Sequence, residues 1–242
     1  MAHSKAFELL RAVAPTVSVG INTANLLSLG AEIALLEGTG AKLAHIDVMD
    51  GCFCPLMTLG PPFIKAIKTS LLKDVHLMIE DPLEKVAEYV AVGADIVTIH
   101  PEACRQPHRV LQKLGQLTNA NDPARGIVRG VALNPSTPLE VLDPLLDEIE
   151  MVSLLAVNPG WGGQKYIPAT NRRIARVRRL MAEAGKDAIL CVDGGITKDN
   201  IAAVAATGAD LIVAGSAIFD GKTPEANARF MLNAVAAARQ AH

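Results

Sequence analysis

Four side chains in this sequence, His45, Asp47, His76 and Asp193, have the types and the placement to act together on one ligand. The first two belong to His45-Ile-Asp-Val-Met-Asp-Gly51, where an imidazole and a carboxylate at i and i+2 share one face of a strand while Ile46 and Val48 pack the other. A charged pair among core residues needs an explanation, because buried charge is costly unless it is paired or bound to metal. Taken alone the pair is equally well a satisfied core histidine beside a turn aspartate. His76, in Val75-His-Leu-Met78, and Asp193, in Cys191-Val-Asp-Gly-Gly195, change that balance. Two imidazoles and two carboxylates form a donor set suited to a divalent ion, zinc first, with iron, manganese or cobalt as alternatives. By the same period of two, Met49 and Met78 fall on the ligand-bearing faces as a polarizable floor, although core filling serves equally well.

Glycine marks a second feature. Asn158-Pro-Gly-Trp-Gly-Gly-Gln164 carries Gly160, Trp161, Gly162 and Gly163; Gly194 and Gly195 follow a second apolar run, and Gly215 and Ser216 a third. Glycine lets backbone N–H groups approach oxygen closely, and late βα loops often bind phosphate, so these turns point to a phosphorylated substrate.

The elements that must position these residues alternate. Short apolar runs at Val17–Asn22, Leu43–Val48, Asp74–Ile79, Asp95–His100, Gly126–Leu133, Met151–Val157, Ala188–Asp193 and Asp210–Ala214 read as strands. Stretches with helical spacing, such as Leu83–Val92 and Thr170–Ala184, lie between them. Asp81-Pro82 and Pro138 open helices, and Val92-Gly-Ala-Asp95 and Thr207-Gly-Ala-Asp210 each join a helix to a strand. Eight βα units with right-handed crossovers favour one (β/α)8 barrel, an α/β TIM barrel spanning residues 1–242 as a single domain behind a short N-terminal helix within Met1–Val13. An open doubly wound sheet is the alternative, but no Gly-x-Gly-x-x-Gly follows the first strand. In a barrel the strand C-termini build the site, and His45, Asp47, His76 and Asp193 all come late in their strands.

Composition narrows the class further. Hydrophobic residues make up 50% of the chain and aromatics only 3%, so the core is built from Ala, Val, Leu and Ile. Lys plus Arg total 23 against 25 Asp plus Glu, a net charge of −2 that gives no field for nucleic acid or an anionic membrane. No apolar run approaches the roughly 18 residues of a membrane span, and no secretory signal opens the chain. Cys52, Cys54, Cys104 and Cys191 show no ligand or disulfide spacing and read as reduced thiols of a cytoplasmic protein. The arginine run 172–179 reads as a solvated helix face. His100-Pro-Glu102 either supports the site from behind or closes a turn.

With these stretches in view the chain resembles the ribulose-phosphate 3-epimerase family over nearly its whole length. The resemblance rests on His45–Gly51 with Phe53 and Pro55, Val75–Met78, Thr98-Ile-His-Pro-Glu-Ala103, Asn134-Pro-Ser-Thr-Pro138, Val157–Gln164, Val192–Gly195 and Val213-Ala-Gly-Ser-Ala-Ile-Phe219. It implies a (β/α)8 barrel, usually homo-oligomeric, that inverts C3 of a ketose phosphate such as ribulose 5-phosphate with a divalent metal. It further implies His45, Asp47, His76 and Asp193 as ligands, Asp47 and Asp193 as acid and base, and the three glycine loops, with His76, as substrate contacts. Departures fall on the walls. Thr23-Ala-Asn25 stands where the family usually reads Ser-Ala-Asp, Leu56 replaces an asparagine, Leu155 a methionine that would join the floor, and Trp161 a phenylalanine. These leave the sugar open, since pocket walls choose between a pentulose and a hexulose phosphate such as allulose 6-phosphate. A non-catalytic sugar-phosphate-binding barrel is the alternative of another class. A lyase is disfavoured, because no strand end offers a Schiff-base lysine.

Overall fold

The computed structural model describes residues 3–240. Eight parallel strands, β1 Thr16–Gly20, β2 Leu43–Met49, β3 Leu72–Met78, β4 Ile96–Ile99, β5 Val128–Leu133, β6 Met151–Leu155, β7 Ile189–Asp193 and β8 Leu211–Ala214, pair in sequence order and close on themselves. The chain is a single (β/α)8 TIM barrel. Helices α1 Lys5–Val13, α2 Leu29–Glu37, α3 Pro61–Ala66, α4 Val86–Ala91, α5 Pro107–Gln116, α6 Ala169–Glu183, α7 Ile201–Ala205 and α8 Pro224–Gln240 complete it. Two of the joints between helix and strand are set by backbone conformation: Gly93 and Gly208 sit at φ of 99° and 89°, left-handed positions that a side chain would strain.

Strand alternation sorts the core into two bodies. Ala44, Ile46 and Val48 of β2, Val75 and Leu77 of β3, and Leu190 and Val192 of β7 face outward and pack under the helices. The alternate positions Leu43, Ile96, Val128, Met151, Ile189 and Leu211 fill the base of the barrel. Helix α1 seals that base. Its N-cap Ser4 accepts from Phe7 N–H at 3.1 Å, and its buried face, Ala6, Phe7 and Leu10, joins the interior cluster. Among the described residues the barrel is left open at its C-terminal rim. No helix among the described residues is long and apolar enough to cross a membrane.

Three elements differ from the sequence expectation. Strand β1 stops at Gly20 and Ile21–Thr23 forms a 3₁₀ turn, so Asn22 leaves the ladder. The segment opened by Asp81-Pro82 divides into a 3₁₀ turn, Pro82–Glu84, and α4. The crossover after β5 is a 3₁₀ helix, Leu139–Leu145, rather than an α-helix; its buried leucines recur every third residue, and Pro144 inside it has no N–H to extend a ladder of either kind. Residues 1, 2, 241 and 242 of the expected domain lie outside the described residues. The arginine face of α6 is exposed as expected, while Thr170, Ile174, Val177 and Met181 are its buried stripe.

Candidate active site

Strand register brings the four chemical side chains together. His45 and Asp47 stand on the inner face of β2, His76 faces the same interior from β3 in register with Asp47, and Asp193 ends β7 beside Leu155. His45 Nε2 lies 3.2 Å from Asp47 Oδ1 and 3.8 Å from Asp193 Oδ2. His76 Nδ1 lies 3.1 Å from Asp47 Oδ1 and 3.5 Å from Asp193 Oδ2. One donor atom from each residue falls within 4.8 Å of all the others. Donors bound to one small cation at the usual zinc distances would stand roughly 3.4 Å apart in a tetrahedron, so the spacing suits such an ion.

The outer ring nitrogens are tied down. His45 Nδ1 meets Asp74 Oδ2 at 2.7 Å, and that buried carboxylate oxygen also accepts from Ser18 Oγ at 2.8 Å. His76 Nε2 meets His100 Nε2 at 2.8 Å, and His100 Nδ1 lies 3.5 Å from Glu102 Oε2. Glu102 Oε1 in turn accepts from Asn134 N–H at 2.9 Å and from the Thr137 hydroxyl. These partners give each ring a fixed orientation, as outer partners of metal-binding imidazoles do.

Charge follows the same plan. Burial alone would push the His45 imidazole down, yet the charges of Asp74 and Asp47 override it and hold the ring well above its ordinary range. His76 behaves likewise: burial is outweighed by hydrogen bonds and charge from Asp193 and Asp47, and its value rises to about 9. Burial would raise Asp47, but His45 and His76 hold its carboxyl far below the usual range. His100 is driven down by burial and stays neutral, while Glu102, its burial offset by His100, Thr137 and Asn134, titrates at about 2. The cluster is thus a negative centre that protons or a cation must neutralise.

Above it opens a cavity of 770 Å³. The histidine side chains are 5% and 2% exposed, whereas Asp47 and Asp193 are 24% and 13% exposed and line the cavity. The carboxylates are the members of the cluster that line the cavity, and His76 lies directly behind them. Met49, Met78 and Leu155 line the same cavity, as do Thr23, Trp161, and the glycines at 160, 162, 163, 194, 195 and 215 with Ser216. Several of these glycines are required for space, and two of them seat one loop against another. A Cβ on Gly195, at φ 68°, would stand 2.5 Å from Tyr166 N, and one on Gly160 would stand 2.7 Å from Cys54 Cβ, so the loop after β6 is seated against the segment after β2. Gln164 closes that loop on itself, its Oε1 accepting from Asn158 N–H at 3.1 Å and its Nε2 donating to Asn158 O and Trp161 O at 2.6 and 3.0 Å.

Sequence reasoning missed several members of the site. Asp74 shares the inner face of β3 with His76 by the i and i+2 rule that singled out His45 and Asp47. Asn22 and Thr58 hold the Asp47 backbone, and Lys165 is the one lysine, arginine or histidine among the lining residues. The Thr23 hydroxyl donates to Gly20 O at 3.1 Å, so toward a ligand it offers only acceptance.

A parallel barrel sealed below, with two cavity-facing aspartates over two buried imidazoles, makes the C-terminal rim a candidate active site. Residues 16–219 match the Ribulose-phosphate 3 epimerase family. The chain is 42% identical over 206 residues to ribulose-phosphate 3-epimerase of Bacillus subtilis (strain 168), covering 84% of this chain and 91% of that one. It is 40% identical over 207 residues to the Escherichia coli (strain K12) enzyme of the same name, covering 84% and 88%. Among solved structures, 3-hexulose-6-phosphate synthase from Salmonella typhimurium shares the fold with a TM-score of 0.65 at 18% identity, over 92% of this chain and 99% of that one. The chain belongs to the ribulose-phosphate 3-epimerase family and is an isomerase of the epimerase type.

Proposed function

We propose that this chain interconverts D-ribulose 5-phosphate and D-xylulose 5-phosphate by proton transfer at C3, with Asp47 and Asp193 as the two proton carriers. The observation that carries this reading is the pair of cavity-facing carboxylates converging over His45 and His76. Inverting a carbon beside a carbonyl requires a base on one face and an acid on the other. Asp47 and Asp193 stand on β2 and β7, separated by β1 and β8, and each points one oxygen at the imidazoles. The second oxygen of each serves the substrate. One aspartate takes the C3 proton while its protonated counterpart returns one, the parts exchanging with direction; a positioned acid or base contributes roughly 10²- to 10⁴-fold.

His45, Asp47, His76 and Asp193 would hold a divalent ion, zinc first by donor type. When bound, it supplies positive charge against the negative charge that develops on the substrate oxygens. Around it the protein's own groups act: the Gly194–Gly195 and Gly215–Ser216 turns present backbone to the phosphate, Lys165 adds a cation at the rim, and Met49, Met78 and Leu155 exclude water from the carboxylates.

Incubation with ribulose 5-phosphate in D₂O tests the reading. Deuterium should enter at C3, and Asp193→Asn should lose turnover by roughly 10²- to 10⁴-fold while still binding phosphate. Metal-loaded protein that exchanges no hydrogen at C3 would refute it. A hexulose phosphate such as allulose 6-phosphate is a second reading, left open by Leu56 in the cavity wall, and relative kcat/KM on the two sugars decides between them.

A further inference from the structure

We propose that Asn22 is a positioning residue for Asp47, a side chain that takes the place of missing strand. Strand β1 pairs with β2 through Ser18↔Leu43, Val19↔Ala44 and Gly20↔His45, and there the ladder ends because Ile21–Thr23 turns into a 3₁₀ helix. Strand β2 runs on to Met49, so the N–H and C=O of Asp47 face an edge that β1 has already left. Buried backbone groups in that position need partners. Asn22 supplies both: its Oδ1 accepts from Asp47 N–H at 2.9 Å, and its Nδ2 donates to Asp47 O at 2.9 Å. The primary amide reproduces the donor and acceptor of a peptide group, and no charged or aliphatic side chain of similar size carries both.

Thr58 continues the substitute strand. Its hydroxyl donates to Asp47 O at 2.7 Å and accepts from Met49 N–H at 2.9 Å, and its own N–H donates to Met49 O at 3.0 Å. The backbone of Asp47 is thereby fixed at both polar atoms by groups from two different loops, although the residue sits close to the end of its strand. The requirement for such a clamp lies in what Asp47 does. On the reading given above, on which this proposal rests, one carboxylate both joins the cation-binding cluster and carries the C3 proton, so a small shift of its Cα misplaces two functions at once. Asn22 also lines the cavity, which puts the clamp within reach of ligand without giving it a group able to transfer a proton.

The experiment compares the parent with Asn22→Leu, which keeps volume and removes both hydrogen bonds, and with Asn22→Ser, which leaves room for water should the leucine variant fold poorly. Far-UV circular dichroism and thermal melting establish the folded fraction. Cobalt(II) binding, followed by visible absorption, reads the cluster independently of turnover, and steady-state kinetics on ribulose 5-phosphate reads the proton carrier. Outer partners of metal ligands are typically worth roughly 10- to 100-fold in affinity or activity. The expected result is a loss of that size in cobalt affinity and in kcat per folded molecule, with KM changed less than about threefold, because the phosphate contacts are untouched. Variants that bind cobalt and turn over as the parent does overturn the proposal, as does a fall in activity and cobalt binding that disappears when both are normalised to the folded fraction. A parent that binds cobalt yet turns over no ketose phosphate defeats the functional reading and leaves the cobalt comparison to decide Asn22. A parent that turns over yet binds no cobalt defeats the cation-binding part of that reading, and kcat per folded molecule then decides Asn22.

Discussion

Replacing Asp74 by asparagine changes one atom of a carboxylate that meets no ligand, and it should nevertheless weaken the cation cluster. Asp74 is 1% exposed; its Oδ2 accepts from His45 Nδ1 and Ser18 Oγ, and its Oδ1 is buried without a hydrogen-bond partner. Asparagine can occupy this site in two ways. With its oxygen toward His45, the amide nitrogen takes the place of Oδ1 as a buried donor with nothing to bond, a loss of about 1–3 kcal/mol. With its nitrogen toward His45, the ring must accept at Nδ1 and carry its proton on Nε2, the atom that faces Asp47 and Asp193. Either arrangement replaces a charge-assisted hydrogen bond by a neutral one or loses it. The usual effect of such a partner on metal affinity is roughly 10- to 100-fold, or about 1.4–2.8 kcal/mol at 1.4 kcal/mol per tenfold, and the two figures agree. Zinc titration against a chromophoric chelator measures the affinity, and denaturant unfolding of the metal-free protein measures the stability change. An Asp74→Asn variant that binds zinc within about threefold of the parent would show that the orientation of His45 does not depend on Asp74.

Three further outcomes follow from the same geometry. His76 titrates at about 9 in the folded chain, above its ordinary 6.5, so its contribution to stability is fully present below pH 6.5 and is lost as pH rises through 9. In the presence of chelator the melting temperature should fall across that window while zinc affinity rises, because the ion displaces the same protons; a flat melting temperature counts against the carboxylate cluster as its cause. Gly195→Ala forces a Cβ to 2.5 Å from Tyr166 N at φ 68°, and should lose about 2–4 kcal/mol from strain and overpacking together, with weaker binding of inorganic phosphate by calorimetry; parent-like unfolding would show that the loop yields freely. Leu56→Asn, on the cavity wall, should change the ratio of kcat/KM for ribulose 5-phosphate to that for allulose 6-phosphate by about tenfold or more, and an unchanged ratio would remove Leu56 from sugar selection.

The barrel was legible because apolar runs and helical patterns alternate and several αβ joints, at Gly40, Gly93 and Gly208, carry a glycine, signals that depend only on neighbours in sequence. The 3₁₀ crossover after β5 also left a local trace: its buried leucines, 139, 142 and 145, recur every third residue, the period of a 3₁₀ helix rather than of an α-helix. The four clustered residues were legible from type and strand position. Asp74 was within reach of the same rule, as it lies two residues before His76. Asn22 and Thr58 were not, since their partners are backbone atoms of β2 and their role arises only where β1 stops, a point of register that no single segment records. His100 and Glu102 could be read either way until the 2.8 Å contact between His76 and His100 joined them to the cluster.

That contact completes a directional argument about the protons. Asp74 at one end of the network can only accept, and Glu102, held ionised with a value of about 2, can only accept at the other. An N–H of His45 must therefore point to Asp74, and an N–H of His100 toward Glu102, which leaves His100 Nε2 as the acceptor for an N–H from His76. With both outer nitrogens of His45 and His76 committed as donors, their inner nitrogens have only lone pairs left to present, facing the oxygens of Asp47 and Asp193. Four acceptors aimed at one point cannot satisfy one another. Protons on the two imidazoles satisfy them, which is why both rings titrate high, and a divalent cation at the same point would satisfy them too. On the proposed reading the outer network would make proton and metal competitors for one position, and the two aspartates, the members of the cluster that also line the cavity, would be where that competition meets the substrate.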